Sequence, residues 1–152
     1  MEQQLVNRAW FESPSTRLSR WRDFRQALDT NDTYSVCKTV VEWWKTAPIV
    51  SVSIDPVNSK HWPTPWEMLH QGDFCDNSLA LGMSYTIYYA NNNISNELLY
   101  ITDRDNSIEK LCAWIDNKYL LNYEHGTIST LPTKNTSVGF KTKIEDVAKR
   151  NT

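Results

Sequence analysis

The chain has 152 residues, with 16 Lys and Arg against 18 Asp and Glu. One domain's worth of sequence can bury most of its unfolded surface without a disulfide or metal to hold it, and the near-balanced charge offers no global basic field for nucleic acid or an anionic membrane. The three cysteines, Cys37, Cys75 and Cys112, are too widely spaced for a disulfide scaffold or a zinc knuckle, and no apolar run reaches the roughly 18 residues of a membrane span.

Absence of a signal-like start points to synthesis in a reducing cytoplasm. Glycine is scarce, at 4, and no Gly-rich phosphate loop occurs, so no cofactor is expected. Tryptophan is abundant, at 7, four of them in the pairs Trp43/Trp44 and Trp62/Trp66. Trp supplies large contact area at low entropic cost, which makes Trp10, Phe11, Trp43, Trp44, Trp62 and Trp66 candidate interface residues as well as candidate core residues.

Residues 1–14 are polar and aperiodic apart from Leu5, Val6, Trp10 and Phe11, and read as an arm closed by Pro14. Ser15 or Thr16 then caps a helix with Leu18, Trp21, Phe24 and Leu28 on one side and Arg17, Arg20, Arg22 and Arg25 on another. The arginines read as a solvated face or as a contact to phosphate or an acidic partner. Asp32 caps a second helix carrying Val36, Cys37, Val40, Val41 and Trp44, which must end before Pro48. Ile49 to Ile54 alternates with period two and reads as extended.

Thr64-Pro65-Trp66-Glu67 is a capping box with Pro at the first helical position, and Gly72 ends that short helix. Asp73 is placed to cap the next helix, with Cys75 in its first turn and Leu79, Met83 and Ile87 on its buried face down to Asn91-Asn92-Asn93. The period then changes to two, predicting strands at Leu98–Ile101, Lys110–Ile115 and Lys118–Leu121. The last stretch is Thr/Lys-rich, with a weak strand at Val138–Phe140 and a helical turn from Ile144 to Lys149. The predicted fold class is α+β, with a single domain over 15–125 and a tail over 126–152 that packs on it or on a neighbour.

A thiol at a helix start is stabilised as thiolate by the helix N-terminus. Gly72-Asp73-Phe74-Cys75-Asp76-Asn77 followed by a meander resembles the core of the transglutaminase-like, papain-like cysteine enzymes over roughly 62–125. The resemblance implies a nucleophile at Cys75, a base at the position of Cys112 in Cys112-Ala113-Trp114, and an orienting residue at Asn122. A cysteine in place of imidazole supplies no general base, a role worth about 10²–10⁴-fold. His125, or His70 through the Gly72 turn, would then have to substitute. The spread of His61, His70 and His125 has no metal-ligand spacing.

The missing base, the paired tryptophans and the long polar ends point to a non-enzymatic assembly protein whose partners are other protein subunits. The Trp-Pro-Thr-Pro-Trp-Glu run at 62–67 is similar to small proteins of tailed bacteriophages, which implies a virion component of tail, neck or baseplate. The alternatives are a Cys75-dependent amidase, peptidase or transglutaminase-like enzyme, and a nucleic-acid accessory factor using the four arginines.

Overall fold

The computed structural model describes residues 8–50 and 54–150. A 3-10 turn at Arg8–Phe11 leads into α1 (Pro14–Gln26), α2 (Thr33–Trp44), a second 3-10 turn at Ser59–His61, α3 (Pro65–Gln71) and α4 (Asp76–Ala90). Five strands follow, β1 (Asn96–Asp103), β2 (Ile108–Ile115), β3 (Tyr119–Leu121), β4 (Ile128–Ser129) and β5 (Thr136–Lys143), and then α5 (Ile144–Arg150). The strands form one antiparallel sheet in the order β4-β3-β2-β1-β5. The fold is α+β, as the change of hydrophobic period predicts.

Local chemistry sets most of the helix boundaries. Ser13, not Ser15 or Thr16, caps α1, and Pro14 is its first residue, so proline opens the helix where an arm was expected to close. Asp32 caps α2 by accepting from the N–H groups of Tyr34 and Ser35. The capping box of α3 is present as predicted, with Thr64 and Glu67 each accepting from the other's N–H. Gly72 ends α3 at φ 75, a left-handed conformation that glycine reaches without steric cost.

Residues 1–7 of the expected arm, and residues 51–53 of the expected extended segment, lie outside the described residues. From Arg8 onward the chain is tied to the body: Ala9 and Trp10 are buried, and Trp10 packs against Trp43, Trp44 and Phe74. The expected C-terminal tail is part of the sheet and core. β5 pairs along β1 from Glu97↔Lys143 to Asp103↔Thr136 with an irregularity between Tyr100 and Ile101, and Ile144, Val147 and Ala148 of α5 are buried.

One face of the sheet packs on α4 through Leu98, Leu111, Ala113, Ile115 and Leu121. The other face carries a smaller cluster of Leu99, Ile101, Cys112 and Leu120, covered by Tyr123 and Leu131. On the far side of α4, α1 and α2 send Trp21 and Trp44 to a single hydroxyl. Both indole N–H groups donate to Thr86 Oγ1, at 2.9 and 3.0 Å, while that hydroxyl donates to the Gly82 carbonyl at 2.7 Å. Gly82 makes room for this: a Cβ there would lie 2.5 Å from the Trp44 ring.

Thr86→Val is expected to lose about 2–4 kcal/mol, because it strands two buried indole donors while keeping the side-chain shape. Thr86→Ser keeps the acceptor and should lose clearly less. Urea midpoints with unchanged slopes would read both effects.

Candidate functional site

Cys75 is the N-cap of α4 rather than a residue of its first turn. The backbone explains the difference from the sequence reading. Phe74 is held extended by its N–H on the Pro48 carbonyl and its carbonyl on the Val50 N–H, so the helix cannot begin at Asp73. The Cys75 thiol accepts the Ser78 N–H at 3.4 Å. Ser78 Oγ in turn accepts the Cys75 N–H at 2.8 Å and donates to the Cys75 carbonyl at 3.0 Å. The thiol therefore does a cap's work, and the residue is 8% exposed.

Three contacts fix this helix start against the edge of β2. β3 stops at Leu121 because Asn122 turns left-handed, at φ 71, a conformation asparagine tolerates better than most residues. Leu111 of β2 is thereby left without a strand partner on that side. Asn77 Oδ1 accepts its N–H at 3.0 Å, and Asn122 Nδ2 lies 3.5 Å from its carbonyl and donates to the Asp76 carbonyl at 2.7 Å. Asn122 is fully buried, and its Oδ1 has no partner.

The position of the expected base needs correction. Cys112 is fully buried on the sheet face opposite α4, packed with Leu99, Ile101, Leu120 and Tyr123, and burial pushes its thiol up to about 12. The side chain of β2 that reaches the start of α4 is Lys110, two residues earlier. Its Nζ lies 2.8 Å from the Asp76 carboxylate, and only 11% of the side chain is exposed. Sequence reasoning missed Lys110 and Ser78; the Lys110–Asp76 pairing depends on how β2 docks on α4, which no local pattern reports.

The histidines do not fill the gap. His125 is exposed, and its Nε2 lies 2.7 Å from the Lys45 carbonyl; a carbonyl only accepts, so that nitrogen carries the proton. His61 and His70 are exposed at the ends of the second 3-10 turn and α3. Among the described residues no imidazole hydrogen-bonds the Cys75 thiol, and no group of three or more His, Cys, Asp or Glu is arranged to hold a metal ion.

The candidate interface residues divide. Trp10, Trp44 and Trp62 are core residues, at 5, 1 and 3% exposed: Trp10 and Trp44 pack against each other and Phe74, and Trp62 packs edge-on to Phe140 while its indole N–H donates to the Asp55 carbonyl. Trp43 is half-buried, stacked on Phe24. Trp66 and Phe11 are exposed, at 44 and 80%. The arginine face is largely consumed as well. Arg17 is buried, its guanidinium donating to the carbonyls of Leu69, His70 and Glu12 at 2.5, 3.1 and 2.9 Å, and Arg20 pairs with Glu12 at 2.8 Å. No helix of the described residues is long and apolar enough to cross a membrane.

With this geometry in view, the likeness to a solved structure is informative. LapG of Legionella pneumophila, a transglutaminase-like cysteine protease, superposes with a TM-score of 0.63 at 12% identity, covering 80% of this chain and 72% of that one. The fold is transglutaminase-like. No family profile and no curated protein matches the sequence. The expectation of a bacteriophage origin finds no support in these comparisons.

Two outcomes are expected. Burial raises Cys37 as well as Cys112 to about 12, so near pH 8 iodoacetamide should modify Cys75 ahead of both, and peptide mass spectrometry of the native protein would read the order. Tyr123 donates its hydroxyl to Asp103, a bond that, with Asn106, holds the Asp103 carboxyl below its ordinary range. A lowered carboxylate stabilises the fold above its unfolded titration and loses that contribution as pH falls through the folded one. Tyr123→Phe should therefore be less stable at neutral pH, the gap to the parent narrowing in acid.

Proposed function

We propose that this chain is a non-catalytic protein that uses a transglutaminase-like scaffold to make contacts with other proteins. The observation that carries this reading is how the Cys75 site is occupied. Cys112, where the resemblance calls for imidazole, is buried on the sheet face away from α4, the thiol itself caps α4, and Lys110 of β2 is bound to Asp76, next to Cys75 in sequence. That the assembly is a phage tail, neck or baseplate, reached from a reducing cytoplasm, is proposed on sequence features alone.

A second reading is favoured by the likeness to LapG and by a cysteine at the start of α4: a Cys75-dependent amidase, peptidase or transglutaminase-like enzyme. Its base would have to come from a histidine that leaves its present position, His125 from the Lys45 carbonyl or His70 from the end of α3.

The two readings part at Cys75→Ser. Serine is a preferred N-cap, so as a structural change the substitution should hold stability within about 0.5 kcal/mol or raise it. Casein and small fluorogenic peptide amides should show no turnover by the parent above that variant. A hydrolysis or acyl-transfer rate present in the parent and lost in Cys75→Ser would overturn the scaffold reading and establish the enzyme.

A further inference from the structure

α1, α3 and α4 meet in an aromatic patch that the core does not absorb. Trp66 of α3 packs edge-on to Trp21 and Tyr89, with centroids 6.3 and 5.3 Å away, yet remains 44% exposed. Tyr89 stacks on Tyr88 at 5.0 Å and 18°, and a groove of about 350 Å³ runs from these two rings along Ala90, Asn91 and Asn92. Arg25 lies over this patch, its guanidinium carbon 4.6 Å from the Trp21 ring centroid and 5.7 Å from that of Tyr89.

Arg25 is unlike the other arginines of α1. Arg17 is spent on backbone carbonyls and Arg20 on Glu12, and Arg22 approaches Asp23 at 3.8 Å. No carboxylate of the described residues pairs with Arg25, and its Nε, like that of Arg17, is buried without an acceptor. Burial works most strongly against its charged form, Tyr89 opposes that, and the neighbouring Arg22 charge adds a smaller effect in the same direction as burial. Of the acids that line the adjoining groove with Tyr88, Glu145 is bound to Lys149 at 2.9 Å and Glu97 to Lys141 at 3.4 Å. A half-buried guanidinium flanked by Trp and Tyr, with no anion supplied from within, is the composition from which binding hot spots are made.

We infer that Trp66, Tyr88, Tyr89 and Arg25 form a docking surface for an acidic segment of a partner protein, a carboxylate seating on Arg25 while an adjacent apolar side chain lies on Trp66 and Tyr89. A protein partner fits better than nucleic acid because one free guanidinium does not make a row of phosphate contacts. Guanidinium geometry matters here: a planar fork both stacks on rings and grips a carboxylate, which an ammonium does not. The inference rests on the reading that the chain works through protein contacts, and it names the chemistry of one such contact.

The test is fluorescence anisotropy of a short labelled peptide of alternating Glu and Leu titrated with the full chain, alongside a Lys/Leu peptide and oligothymidylate. The Glu/Leu peptide should bind in preference to both. Arg25→Ala and Trp66→Ala should each weaken it roughly tenfold, and Arg25→Lys should recover only part of the loss. Circular dichroism of each variant guards against misfolding, and Trp66, exposed at the surface, gives a readout independent of Arg25. Absence of binding, equal binding of the Lys/Leu peptide, preference for oligothymidylate, or unchanged affinity in Arg25→Ala would overturn the surface. None of these outcomes depends on Cys75-linked turnover, so failure here is distinguishable from failure of the scaffold reading.

Discussion

Two indole N–H groups from different helices end on the Thr86 hydroxyl, and the placement of everything around α4 depends on it. A buried donor without an acceptor costs as much as several apolar contacts contribute, so Trp21 and Trp44 cannot shift without losing their shared partner. The hydroxyl can serve both because its own proton goes to the Gly82 carbonyl one turn back. Gly82 supplies the remaining condition, since any Cβ would strike the Trp44 ring. α1 and α2 are thereby fixed on one side of α4, and the sheet takes the other.

A helix fixed along its length presents its start at one place, and here that place is the unpaired stretch of β2. Asn77 and Asn122 satisfy the Leu111 backbone, and Asn122 also binds the Asp76 carbonyl. In an enzyme, a helix start with free N–H groups and a thiol would face substrate. In this chain the Ser78 N–H is given to the thiol, the Cys75 N–H to Ser78 Oγ, and the Asp76 carboxylate to Lys110. Each of these groups finds its partner within the chain.

How much of this could be read from the sequence follows the range of the interactions. The α3 capping box, the Asp32 cap and the buried stripe of α2 are set within a few residues, and the sequence reports them faithfully. The start of α4 is not legible locally, because extension at Phe74 is imposed by Pro48 and Val50, more than twenty residues away. β4 and β5 are hard to read for a different reason: both are half-exposed edge strands, β4 only two residues long and β5 Thr/Lys-rich, with no clean alternation. Asn122 is legible as the residue ending β3, but the base position is not, since which β2 side chain meets α4 depends on docking. The tryptophans show the limit of composition, for the same residue type fills the core at Trp44 and the surface at Trp66.

Arg17 and Arg25 occupy the same helix, eight residues apart, and their different fates show what a charge count omits. Arg17 meets the last carbonyls of α3, which carry partial negative charge and lack helical donors, and Gly72 leaves the space it needs; a Cβ there would lie 2.6 Å from the guanidinium. Its charge is absorbed by backbone dipoles and serves the fold alone. Arg25 meets rings instead, whose faces attract a cation but do not neutralise it. Among the described residues no carboxylate pairs with Arg25, so its charge is left beside exposed aromatic rings, and that juxtaposition is what the proposed docking surface uses.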